Sequence, residues 1–206
     1  MLLTTFEIIL TIVTPLLALY LRGQWPLRTV TACLCGIPVL WYLTYAPIHE
    51  LSHAIGTSLV GGRVVDTKLI PSFWEGQFAV AWVTSDGLDQ SWQQLVMLGA
   101  PYVIDVACVV ASLVVLRRRL SRNALVVGLL LMLMCLRPTF DLVCETIGFV
   151  GGFHGDLWHM QLIIGSAALW PFLAVSLALC LLSVVVILRR YGGFPEPLPA
   201  KSDLRA

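Results

Sequence analysis

His49-Glu50-Leu51-Ser52-His53 sets two imidazoles four residues apart, with a carboxylate beside the first. On a helix, residues four apart share a face, so both rings can reach one metal ion. Glu50 can then face a water on that metal. Zinc lowers the pKa of such a water to about 7, and a neighbouring carboxylate can take its proton. On a soluble helix this H-E-x-x-H pattern would suggest a zinc protease. Here it lies in an apolar part of a very apolar chain, where ionisable groups are costly and functional by default.

A catalytic zinc commonly has three protein ligands and one open position. His49 and His53 supply two, so the third must come from elsewhere. The four histidines fall in two short stretches, 49/53 and 154/159. Asp156, in Phe153-His154-Gly155-Asp156-Leu157-Trp158-His159, is the leading candidate, because it opens an apolar span behind Gly151-Gly152. Asp141, in Arg137-Pro138-Thr139-Phe140-Asp141, is the second, and His154, His159 and Glu145 follow. Each has a plainer role available. Asp156 suits a helix cap, and the histidines suit a membrane interface or, less plainly, an oxyanion contact. Whichever aspartate is not a ligand can hold a ligating histidine from behind. Asp105 either orients one of the two histidines or pairs with an arginine.

These residues need a scaffold, and composition says which kind. The chain has 206 residues, of which 12% are charged, and a mean hydropathy of +0.87. Soluble domains carry about 25% charged residues. The expected fold class is therefore membrane all-α: a polytopic bundle of about five to six transmembrane helices, with a small β-hairpin packed near the active site. A single domain over 1–190 is expected, with a Pro-rich, disordered tail over 191–206. The formal net charge of +1 and the lack of a basic stripe with interleaved aromatics exclude nucleic acid as a partner. The six cysteines are scattered, without C-x-x-C pairs, and read as small core residues.

Apolar runs of about 20 residues mark the spans. They are Leu2–Tyr20, read as a retained helix because no basic stretch precedes it; about Thr29–Tyr45; about Trp92–Leu116; about Ala124–Leu136; and about His159–Leu188. Pro47 reads as a kink or as the start of a separate H-E-x-x-H helix over about 47–60, which Gly61-Gly62 ends. Two β-branched and aromatic runs, 63–70 and 77–84, flank a turn-like 71–76 and predict a hairpin over about 63–84. Residues 138–158 read as an irregular, Gly-rich stretch. Five spans with the N-terminus outside put Arg22/Arg28, Arg117–Arg119 with Arg122, and Arg189/Arg190 with the C-terminus in the cytoplasm. The candidate ligands then share the opposite side; Arg63, Lys68 and Arg137 run against this pattern.

Pro47-Ile48-His49-Glu50-Leu51-Ser52-His53-Ala54 resembles the M50 (site-2 protease) family of intramembrane zinc metalloproteases, and its compact M50B-like branch in particular. Gly61-Gly62-Arg63-Val64-Val65 resembles the start of that family's β-region. Leu98-Gly99-Ala100-Pro101 is similar to its A-G-P segment, and Gly155-Asp156 to the branch's downstream aspartate. The family's L-D-G motif is absent; Pro138 to Asp141 keeps its proline-to-aspartate spacing without the glycine. The resemblance implies an endopeptidase that cleaves a transmembrane or membrane-proximal segment of a protein substrate. It implies one Zn²⁺ per chain on His49, His53 and Asp156, with Glu50 as general base, and a bilayer and a membrane-protein substrate as partners. Two other functions fit the same residues: a non-catalytic metal-binding membrane protein or scaffold, and a small transporter. A transporter would be expected to show paired repeats, and none is visible.

Overall fold

The computed structural model describes residues 26–71, 81–118 and 132–191, together with the single positions 13, 17, 20, 21 and 23. The first expected span (Leu2–Tyr20), most of the fourth (124–131), the hairpin tip (72–80) and the tail beyond 191 lie outside the described residues. The chain is mostly helical with one small antiparallel sheet: α1 (Leu27–Leu59), β1 (Arg63–Lys68), β2 (Trp82–Asp86), α2 (Ser91–Arg118), a π-helical turn (Met132–Leu136), α3 (Arg137–Val150), α4 (Asp156–Ile164) and α5 (Ser166–Tyr191).

Three boundaries differ from the sequence expectation. First, Pro47 does not begin a new helix; α1 runs through it without a break, from Leu27 to Leu59. A proline removes one backbone bond, whereas ending a helix and starting another leaves up to four amides and four carbonyls to satisfy. Second, residues 138–150 are helical rather than irregular, because Pro138 sits in the first turn of α3, where its missing N–H costs nothing. The irregular part is confined to 151–155, where Gly152 turns the chain at φ 84° and the Phe153 amide donates to Gly148. Third, the expected last span is two helices, because Gly165 adopts φ 76° between α4 and α5. The hairpin is present, but β2 extends to Asp86. Arg63 pairs with Asp86 and Val64 with Ser85, and a register shift follows between Val64 and Asp66. The Trp82 indole N–H donates to Asp66 across the sheet at 3.1 Å.

α2 is the centre of the molecule. Its buried residues Leu98, Tyr102, Asp105, Val109 and Ser112 recur at the 3–4 spacing of a single helix face. α5 repeats the pattern with Leu169, Leu173, Ser176, Cys180 and Ser183. With Leu142, Leu157 and Met160 of α3 and α4 they form the core. α1 buries Ala46, His49, Ser52, His53 and Thr57 on one face. The exposed faces of these helices are apolar: Leu51, Ile55 and Leu59 on α1, Val103, Val110 and Val114 on α2, and Val175, Leu181 and Leu182 on α5. Large aliphatic residues thus face outward as well as inward, with polar residues buried among the inner ones, unlike the usual surface in water. Among the described residues, two helices are long and apolar enough to cross a membrane, over Ser91–Val115 and Ser166–Ser183.

α1 and α2 meet where small residues allow their backbones to touch. A methyl group at Gly56 would lie 2.8 Å from the Ala100 Cβ and 3.0 Å from both the Met97 Cα and the Val96 carbonyl oxygen. Gly56→Ala should therefore destabilise the fold by about 1–3 kcal/mol, as overpacking does. Adding Ala100→Gly should restore only part of the loss, because the two backbone contacts remain. Thermal unfolding of the detergent-purified variants measures both effects; an unchanged Tm for Gly56→Ala would refute the close approach.

Candidate metal centre

His49, Glu50 and His53 stand on successive turns of α1, one turn before Gly56. The rings of His49 and His53 turn inward and Glu50 lies half-buried beside them. The His53 ring is set by α2. Its Nδ1 lies 2.9 Å from the Met97 carbonyl oxygen. A carbonyl can only accept, so Nδ1 carries the proton and, in the neutral ring, Nε2 keeps a lone pair. The His49 ring is set by α3 in the same way. Its Nδ1 lies 2.9 Å from Asp141 Oδ2, which leaves its Nε2 the second lone pair.

Both free nitrogens face the same carboxylate. Asp156 Oδ2 lies 3.2 Å from His49 Nε2 and 2.9 Å from His53 Nε2, and the two nitrogens are 3.2 Å apart. Asp156 is the first residue of α4, brought there by the extended Gly155 before it. Three atoms that can each offer a lone pair therefore converge, and either a proton on an imidazole or a bound cation would hold them together. A tetrahedral zinc with bonds of about 2.0–2.1 Å would space its ligands by about 3.3 Å. His49, His53 and Asp156 are the group that could hold a metal ion among the described residues.

The triangle opens into a cleft of about 300 Å³, whose walls include Tyr45, Glu50, Trp82, Val83, Glu145, Phe153 and Gly155. Glu50 thus shares the space next to the three ligand atoms. Glu145 stands across it and accepts a long hydrogen bond, 3.4 Å, from the Tyr102 hydroxyl. β2 contributes Trp82 and Val83, so the hairpin forms one wall of the cleft.

The structure thus separates the candidates. Asp156 is in the ligand triangle; Asp141 stands behind His49. His154 and His159 are outside it: both are exposed and each packs against Trp158, at ring-centroid distances of 4.5 Å and 4.9 Å. Asp105 does not touch a histidine. It binds Arg137, with Nη2 to Oδ1 at 2.6 Å. Cys35, Cys108, Cys135 and Cys180 are free thiols. Sequence reasoning missed Arg137, taken as the end of a span, and missed the Met97 carbonyl and Tyr102. The spacing of Arg137 and Asp141, one helical turn apart, would have been a signal had 138–150 been expected to be helical. No protein-family model matches the chain, and no curated protein or solved structure does either.

Metal analysis of the purified protein tests the triangle. The wild type supplied with zinc should hold about one ion per chain, and His49→Ala, His53→Ala and Asp156→Ala should each lose it. Asp141→Ala should still bind, with an affinity lower by about 10–100-fold, as expected of a residue that only orients a ligand. Complete zinc loss in Asp141→Ala together with retention in Asp156→Ala would exchange the two roles.

Proposed function

We propose that the chain is an integral-membrane zinc endopeptidase of the kind its H-E-x-x-H segment resembles, the site-2 protease family, acting on a transmembrane or membrane-proximal segment of another protein. The observation that carries this reading is the convergence of His49 Nε2, His53 Nε2 and Asp156 Oδ2 in a cleft that also holds Glu50. Zinc bound there would polarise a scissile carbonyl and acidify the attacking water. Glu50 takes the proton from that water and returns it to the leaving amine. Trp82 and Val83 of β2 border the same space, so a locally unwound substrate could lie alongside the hairpin as an added strand, held by backbone hydrogen bonds.

The membrane part of the proposal rests on the exposed aliphatic faces of α1, α2 and α5. Such faces would be costly in water and suit a hydrocarbon surround. Among the described residues two helices are apolar enough to span, fewer than the five to six expected; reaching that number requires α1 as well, about 50 Å long at 1.5 Å per residue. That number includes the apolar runs at 2–20 and 124–136. The positions of the arginines favour an N-terminus outside and a C-terminus in the cytoplasm.

Glu50→Gln tests the chemistry. With zinc-loaded protein in proteoliposomes and a quenched-fluorescent single-span peptide whose helix is weakened by Gly and Pro, cleavage should fall by about 10²–10⁴-fold, the range for loss of a general base. Zinc content should be unchanged. Turnover that survives in Glu50→Gln at full zinc occupancy would remove Glu50 as the base.

A further inference from the structure

Arg137 is the largest fully buried side chain among the described residues, at 1% exposure. Its guanidinium faces Asp105, the Leu133 carbonyl, Asp141 and the Cys108 thiol. Nη2 donates to Asp105 Oδ1 of α2 at 2.6 Å, and Nε to the Leu133 carbonyl in the π-helical turn at 3.4 Å. Nη1 stands 3.9 Å from Asp141 Oδ2, the oxygen that accepts the His49 Nδ1 proton. Asp105, Arg137, Asp141 and His49 thus form one file across α2, α3 and α1.

A pin between α2 and α3 would not require this arrangement. A pair of aliphatic residues of similar volume ties two helices together without desolvating two charges. Asp105 and Asp141 also share a side-chain hydrogen bond, so the two carboxylates and the guanidinium meet at one buried point. The arrangement does supply orientation. A planar guanidinium holds two carboxylates in fixed directions, as a flexible ammonium does not. The second carboxylate is the one that decides which nitrogen of His49 faces the ligand triangle.

We propose that Asp105 and Arg137 are positioning residues for the metal centre, acting on His49 through Asp141. This rests on the metal-binding reading of the triangle. Asp105 holds the guanidinium, the guanidinium holds Asp141, and Asp141 keeps His49 with Nδ1 protonated and Nε2 toward the site. The effect is on metal affinity and ligand geometry, not on any contact with substrate.

Chelator competition on the full chain in detergent, read as zinc affinity of the folded protein, tests the file as a unit. Arg137→Lys should weaken zinc by roughly tenfold and Asp141→Asn by about 10–100-fold, the range for partners behind a ligating histidine. The double variant should bind no more weakly than Asp141→Asn alone, because Arg137 acts only through Asp141. The cobalt-substituted Arg137→Lys protein should show a shifted visible spectrum. If Arg137→Lys does not fold, the isosteric Asp105→Asn takes its place, with the same expected loss and the same lack of a further loss on Asp141→Asn. Wild-type affinity in the single variant, or losses that add in the double, would overturn the proposal; a helix pin would lower Tm and leave affinity alone. A wild type that binds no zinc would overturn the metal reading itself, whereas zinc binding indifferent to these variants would overturn the positioning role only.

Discussion

Two imidazole lone pairs and a carboxylate oxygen point at one another from about 3 Å, and most of the fold can be understood as the means of holding them there. Left to themselves the three groups would rotate apart. Each is constrained from behind. The Met97 carbonyl fixes the ring of His53, Asp141 fixes that of His49, and the start of α4 aims Asp156. The backbone of α2 reaches His53 only because Gly56, one turn along α1, lets the two helices touch. A single close approach thus serves both packing and the site.

The interior that results sets buried polar groups beside a hydrophobic core, within an exterior that is apolar. Histidines, serines, a threonine, two aspartates and an arginine are buried, while leucine, valine and isoleucine face out. With an apolar surround, the hydrophobic effect has little to say about which helix face turns inward; small residues and hydrogen-bonded polar groups decide it instead. The Ser52 and Gly56 spacing on α1, and the Cys135–Ser183 contact between the π-helical turn and α5 at 2.9 Å, are of this kind.

Prolines recur in these helices without ending them. Pro47 lies within α1, Pro101 within α2 and Pro171 within α5. Each removes a backbone donor and leaves a carbonyl to be satisfied elsewhere, which a packed helical interior can do with side chains. In the π-helical turn before Pro138, the Leu133 carbonyl accepts from the Arg137 side chain. A helix irregularity next to a candidate site is a common association, and here it has a defined partner.

The sequence by itself determined the local chemistry. The 49/53 spacing put two imidazoles on one helical face, Asp156 stood first among the third-ligand candidates, and the β-branched runs after Gly61-Gly62 marked the hairpin. These are short-range patterns, set by helical and strand periodicity. What it could not decide was whether Asp105 faced a histidine or an arginine, or whether Arg137 ended a span or was buried. Nor could it say that residues 138–150 are helical and the last span is broken at Gly165. The partners of these groups are far apart in the chain: His49 and Asp141 by 92 residues, Asp105 and Arg137 by 32. A charge beside a proline looks locally like a terminus. Asp141 lies one turn along the same helix, but the closer counter-charge, Asp105, comes only from the packing of α2 on α3, and no local propensity encodes that meeting.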